Sequence, residues 1–230
     1  MCESSYGYEY FHRISTRLEL LETAEHVKGI VAFVLDQKVN RNIKWLDVGC
    51  AYGDLTNEAF TAGIDAYGVD LSSYAILEGE RKYPKLKDRL LVCACEDLFL
   101  KFKPKTFDVI SVFETLEHLQ NPRTCLAIVK RLLKPKGILL ISTPKPGPNA
   151  TKDPTHINVH NFKFWKQALL NLNFKLSYPC IFLDIAKEGN PIIRVLAKNR
   201  LLKRCYMTAK ACIIKIAKER TLEIMAILKE

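Results

Sequence analysis

Apolar positions along the chain change period several times. From residue 15 to 37, Leu18, Leu21, Ala24, Val27, Ile30 and Val34 recur at helical spacing, with Ser15 or Thr16 placed to cap the start. From residue 43 onward, short apolar runs alternate with amphipathic blocks. The runs at 44–49, 65–70, 90–95, 107–113 and 136–142 read as strands, and the blocks at 54–62, 73–83 and 122–134 read as helices. Such β-α-β-α alternation predicts an α/β, Rossmann-like doubly wound sheet, mostly parallel and helix-covered on both faces. Asn161 is placed to cap a further helix at 162–172. The runs "FKLSYPCIFLDI" and "NPIIRVLAKN" then read as a closing antiparallel strand pair turning at Gly189-Asn190-Pro191.

Residues 200–228 return to a helical pattern. On a wheel of about 100° per residue, Lys203, Arg204, Lys210, Lys215 and Lys218 gather in one arc. Cys205, Tyr206, Ala209, Cys212, Ile213 and Ile216 oppose them, interrupted by Arg220. The pattern predicts a basic amphipathic helix, either packed on the domain or set against phosphates or a lipid surface. Three segments follow: an N-terminal lid and helix (1–40), a central α/β domain (41–199) and a basic helical extension (200–230).

Charge sharpens this division. The net charge of +10 is uneven: residues 1–40 sum to −2, 41–190 to +5 and 191–230 to +7, with ten basic and three acidic side chains in the last segment. An evenly basic body would suit nucleic acid; a basic tail suits a local anionic contact. No apolar run reaches the roughly 18 residues of a spanning helix, and "MCESSYGYEYFHR" lacks the build of a secretory leader. The eight cysteines form no C-x-x-C pair, so reduced core thiols are expected and no metal site. The chain is expected to be cytoplasmic, with peripheral contact at the inner membrane surface through 200–220 as a further option.

The candidate chemistry begins at 45–56, "WLDVGCAYGDLT". In a doubly wound sheet, ligands bind beyond the carboxyl ends of the strands, where the strand order reverses. Gly49 and Gly53 let a ligand approach the backbone, and Ala51 narrows that approach without blocking it. Asp70, 21 residues after Gly49, is placed to bond ribose hydroxyls. A dinucleotide turn needs a small residue at its third position, where this chain has Asp54. Asp47, Asp70 and the pair Glu96-Asp97 suit a ligand with an amine, a sulfonium and a ribose better than one with two phosphates.

The ordered runs "LDVGCAYGDLT", "YGVDLS", "CACEDL", "FDVISVFETLEHLQNP" and "LLKPKGILLISTP" resemble the class I S-adenosylmethionine-dependent methyltransferases, the branch that includes quinone-biosynthesis enzymes. The resemblance covers residues 44–145 and fades beyond. It implies S-adenosyl-L-methionine as cofactor. Gly49, Cys50, Ala51 and Gly53 would cradle its methionine part, with Asp47 toward the amino group. Asp70 would hold the ribose and Leu71 pack on the adenine. Cys95, Glu96 and Asp97 would read the adenine edge, and Phe113 and Glu114 would line the cavity. Family members usually have Gly where Ala51 stands, and many have an acid where Ala94 stands.

"DPTHINVH" (153–160) follows the fifth strand, and related sequences often carry a similar element there. It makes His156 the candidate catalytic base or acceptor contact, its rival role being a bond to loop backbone. His118, His160, Tyr6 and Tyr10 are candidate substrate contacts, the tyrosines as a lid or as packing. The fourth strand ends "FETL", without an Asn/Asp-Pro-Pro-aromatic grip for an amine, so oxygen or carbon acceptors are favoured. The expected acceptor is a small-molecule, quinone-like or lipid- or glycan-linked group. The alternatives are an RNA methyltransferase using the basic tail and a non-catalytic cofactor-binding partner protein.

Overall fold

In a computed structural model, the described residues are 6–11, 24–37, 42–148, 150–177 and 221–229. Seven strands form one sheet: β1 (Lys44–Val48), β2 (Asp65–Asp70), β3 (Leu90–Val92), β4 (Phe107–Phe113), β5 (Leu133–Pro144), β6 (Phe174–Ser177) and β7 (Thr221–Leu228), in the spatial order β3-β2-β1-β4-β5-β7-β6. The first five are parallel; β7 runs antiparallel to both β5 and β6. The helices are α1 (Ala24–Gln37), α2 (Asp54–Thr61), α3 (Ser73–Lys82), α4 (Leu98–Lys101), α5 (Pro122–Leu132) and α6 (Phe162–Asn171).

Strand residues alternate between two cores because successive side chains of a strand point to opposite faces. Trp45, Val109, Ile138, Leu140 and Met225 join α1 and α2 in one layer. Leu46, Val48, Ile110, Val112, Leu139, Ile141, Ile224 and Ala226 join α5 and α6 in the other. Side chains at the helix starts cap them. Ser72 accepts from the Ala75 N–H, Asn121 from Thr124 and, as expected, Asn161 from Phe164.

The end of the chain differs from expectation. Residues 200–220 lie outside the described residues, but Thr221–Leu228, at the end of the span whose pattern predicts a helix, is strand β7. "TLEIMAIL" alternates between the two cores, and Ile224, Met225 and Ala226 are almost fully buried. Among the described residues β6 pairs antiparallel with β7; the run at 190–199, expected as the second strand of the pair, lies outside them. At the other end, the core-facing part of α1 buries Val27, Ile30, Val31, Phe33 and Val34. Among the described residues, no helix is long and apolar enough to cross a membrane.

Candidate active site

The chain winds β1-β2-β3 to one side and β4-β5 to the other, so the order reverses between β1 and β4. In such sheets ligands bind at that point, beyond the carboxyl ends of the strands. The loop after β1 is fixed by backbone bonds: the Gly49 and Cys50 N–H groups both donate to the Val69 carbonyl (2.8 and 3.0 Å), and Gly53 N–H donates to the Cys50 carbonyl (2.8 Å). Three of its five residues are left-handed: Gly49 at φ 76°, Ala51 at φ 48° and Gly53 at φ 79°. A Cβ on Gly49 would stand 2.0 Å from Thr115 Oγ1. The glycine is thus required by both φ and space, whereas Ala51 holds a backbone shape that glycine adopts more easily.

Asp70 ends β2 and joins this loop. Its carboxylate accepts from the Ala51 N–H (2.9 Å) and the Ser72 N–H (2.8 Å), so it braces the loop and the start of α3 together. Burial nevertheless pushes its carboxyl above the ordinary carboxylate range. Asp47 is buried within β1, where Ser111 Oγ of β4 donates to it (2.6 Å) and Trp45 Nε1 donates to Ser111 in turn (2.9 Å). Burial raises its carboxyl to about 7. Leu71 is half-buried and, like Ala51 and Tyr52, packs against the cluster of Tyr6, Phe11 and Ala75.

After β3, Cys95, Glu96 and Asp97 form a 3-10 turn, with both acids exposed. Cys95 is not a free thiol: it is bonded to Cys125 of α5, with Cα atoms 5.8 Å apart. This corrects the expectation of reduced thiols for that pair, because the turn and α5 pack the two side chains together in the core. Cys50 and Cys93 are free and buried.

Beyond β4, Phe113 is half-buried and Glu114 adopts φ 45°, a conformation costly for a non-glycine residue. Ser142 Oγ of β5 donates to Glu114 (2.5 Å). Glu117 is fully buried. Thr143 Oγ1 donates to its Oε2 (3.2 Å), while its Oε1 has no hydrogen-bond partner among the described residues. Burial and the neighbouring Glu114 push its carboxyl well up.

The segment 150–158 is docked on this turn. The Glu117 carbonyl accepts from both the Ile157 and Asn158 N–H groups, each at 2.9 Å. His118 Nδ1 lies 3.2 Å from the Thr155 carbonyl and 3.0 Å from Thr155 Oγ1. Thr155 Oγ1 in turn donates to Asp153 (2.6 Å). His156 Nδ1 donates to the Ala150 carbonyl (2.8 Å), which leaves its Nε2 as the acceptor nitrogen. The two imidazoles meet edge to face, their centres 4.8 Å apart. Burial, then His156, lowers the His118 pKa to about 4.

The aromatic arm closes this end. Tyr6 and Phe11 pack on Ala75, with Tyr52, Leu71 and Tyr74 around them. Ser72 Oγ donates to the Tyr6 carbonyl. The Tyr6 ring meets Tyr10 and His118 edge-on (4.8 and 6.0 Å), and the Tyr10 hydroxyl is 3.5 Å from His118 Nε2. Burial raises the Tyr6 phenol to about 12 and pushes Tyr10 up as well.

The fold thus gathers His118, His156, Tyr6 and Tyr10, and sets Asp70 against the glycine loop. His160 stands apart from that group: its contacts are Asn158 (3.3 Å) and the rings of Phe164 and Trp165. It packs on α6 because residues 158–161 turn into that helix. Sequence reading underweighted Glu117 and gave no role to Thr155 or Ser111. The signal for the first was the spacing Glu114-x-x-Glu117-His118, which one turn places side by side.

Residues 22–178 match the model of the methyltransferase domain family. Ubiquinone biosynthesis O-methyltransferase of Methylococcus capsulatus is 35% identical over 104 residues, 44% of this chain and 43% of that protein. Sterol 4-C-methyltransferase strm-1 of Caenorhabditis elegans is 23% identical over 134 residues, 57% of this chain and 40% of that protein. The chain therefore matches less than half the length of these relatives. A SAM-dependent methyltransferase from Archaeoglobus fulgidus has the same fold at a TM-score of 0.64 and 18% identity, covering 96% of this chain and 99% of that one. Phosphoethanolamine N-methyltransferase 2 of Haemonchus contortus, solved with S-adenosyl-L-methionine, gives 0.58 and 18%, covering 87% and 52%. With the family model spanning more than half its length, this chain belongs to the methyltransferase domain family.

Proposed function

We propose that the protein is an S-adenosylmethionine-dependent methyltransferase acting on a hydroxyl of a small, quinol-like aromatic acceptor. The observation that carries this reading is the meeting, at one end of the sheet, of a braced glycine loop with a partly buried Glu-His-His cluster under a tyrosine arm.

The cofactor suits the residues present. Loops 49–54, 70–75, 93–97 and 113–118 hold six carboxylates and no Lys or Arg. Such a lining repels a pyrophosphate and favours a cation. Residues 49–53 and Asp47 would hold the methionine end. Asp70 retains lone pairs for ribose hydroxyls after accepting its two backbone bonds. Leu71 and the turn 95–97 would flank the adenine. When bound, S-adenosylmethionine supplies a methyl group already activated on a sulfonium sulfur, so positioning furnishes much of the rate.

A hydroxyl acceptor must lose a proton. The His118–His156 pair is the site for that loss, with both Nδ1 atoms tied to backbone carbonyls and the rings held in place. Tyr6 and Tyr10, kept neutral by burial, would cover the acceptor ring. The relative named for ubiquinone O-methylation supports oxygen as the acceptor atom and a quinol-like ring as the acceptor class. Peripheral membrane contact through 200–220 remains a proposal of the basic pattern alone.

The test is calorimetry with S-adenosylmethionine, followed by transfer of labelled methyl to a panel of catechols and to a cell extract. Micromolar binding and a labelled O-methyl ether are expected. No binding at millimolar cofactor would overturn the reading, and label found only in RNA would replace the acceptor.

A further inference from the structure

Residues 99–105, "FLKFKPK", interleave aromatic and basic side chains. They span the end of α4 and the loop into β4, and the Lys105 N–H donates to the carbonyl of Arg131 near the end of α5 (2.9 Å). A groove of about 450 Å3 is lined there by the run 99–104 and by Arg131. On it stands Leu100, 80% exposed, more than any other large apolar side chain among the described residues. The Arg131 guanidinium lies over the Phe99 ring, 4.3 Å from its centre, which fixes the plane of the fork. Other cations of the sheet are neutralised: Lys44 and Arg89 pair with Asp65, and Lys134 with Asp108. Among the described residues, Lys101, Lys103 and Arg131 form no ion pair. The helix dipole accounts for a cation in the last turn of α5 but not for Lys103 in the loop.

We propose that this groove docks an acidic segment of a partner protein, one with an apolar side chain between Asp or Glu residues. The three cations select the acidic flanks, and the apolar lining takes the side chain between them. Arg131, held flat on Phe99, presents its fork to a carboxylate. The Cys95–Cys125 bond ties the turn before α4 to α5, so both walls are fixed before binding and little ordering is required. Single-stranded nucleic acid fits less well. Arg131 covers a face of Phe99, and Phe102 packs edge-on against Tyr67 and Phe107 (5.8 and 5.0 Å), so neither ring is set out for base stacking. A bilayer surface would meet Leu100 but leave the groove unfilled, whereas a side chain fills it. Lys103 and Arg131 precede β4 and β5, while the glycine loop follows β1, and these strands are parallel. The groove thus lies at the other end of the sheet from the cofactor loop, and a docked partner leaves that loop open.

The probe is a fluorescein-labelled peptide with one phenylalanine between two runs of Asp and Glu. Its anisotropy is read against the full chain at low salt, and binding that weakens as salt rises is expected. Lys101→Glu/Lys103→Glu should weaken binding by about tenfold or more relative to Lys163→Glu/Lys166→Glu, a control of equal charge at exposed positions of α6. Replacing the peptide's phenylalanine by alanine should cost about tenfold as well, since an apolar side chain leaves the groove. Thermal melts establish that the variants are folded; all four positions are exposed. No binding at millimolar peptide, binding equal in the groove variant and the control, or equal binding of the alanine peptide overturns the proposal. Phosphatidylglycerol vesicles and polyuridylate are tested in parallel, and the two charge variants should bind each of them alike. A loss confined to the groove variant on vesicles or polyuridylate, with peptide binding unaltered, assigns the groove to that ligand and overturns the proposal too.

Discussion

The two halves of the crevice are built differently. The half beyond β1 and β2 is largely local: a strand, a five-residue loop and a helix, fixed by main-chain bonds to Val69 and braced by Asp70. The half beyond β4 and β5 is assembled from segments distant in sequence, 113–118 and 150–158, joined largely through side chains and carbonyls, and the arm 6–11 packs across both halves. A backbone-built cradle tolerates changes in side chains but not in φ. A side-chain-built pocket is the reverse.

Substitutions can break this contrast or sharpen it. The largest effect is expected at the seam, where Gly49 meets Thr115. Gly49→Ala forces a left-handed alanine into a side chain 2.0 Å away, at a cost of about 3 kcal/mol or more in urea unfolding, with losses in both halves. A fully stable variant would mean that the seam can yield. Asp70→Ala should weaken cofactor binding by roughly 1–3 kcal/mol, read by calorimetry; unchanged affinity would remove Asp70 from the cradle.

Asp47 gives a pH-dependent test. Its folded pKa, raised to about 7, exceeds the unfolded value, so the native state binds the extra proton and stability falls as pH rises from about 4 through 7. Asp47→Asn should raise the melting temperature at pH 8 but not at pH 4, while weakening cofactor binding. Equal melting at both pH values would show that the acid is not strained by burial. On the other side of the crevice, Thr155→Val removes the hydroxyl between His118 and Asp153. It should cost about 1 kcal/mol of stability and slow methyl transfer with cofactor affinity intact. A parallel drop in cofactor affinity would erase the distinction between the halves. The smallest change is expected from Ala51→Gly, which relieves a positive φ and stabilises the fold by about 1 kcal/mol or less; a thermal melt decides its sign.

Legibility in the sequence follows the same division. "WLDVGCAYGDLT" announced its strand, loop and helix because those conformations are set by neighbours. The third strand was expected to run to residue 95 but ends at Val92, and the chain then turns into the 3-10 segment that places Cys95 against Cys125. The helical pattern at 203–220 was carried too far along the chain. "TLEIMAIL" has the period of a strand, and its two apolar faces fill the gap between β5 and β6. Glu117 lies in the short 3-10 turn Leu116–His118, and nothing local marks it as buried beside His156, 39 residues later.

The sequence by itself determined the alternating frame, the glycine loop, the acid at the end of β2 and the acidic character of the loops that follow the strands. Each of these depends on residue type and short spacing. Only the tertiary structure decided which histidine joins the site and which packs on α6, that the last strand lies within the sheet, and that a buried carboxylate oxygen faces two anchored imidazoles. Those facts depend on the register of β5, β7 and β4 and on how the segment 150–158 docks on the turn after β4, contacts between residues that no sequence period connects.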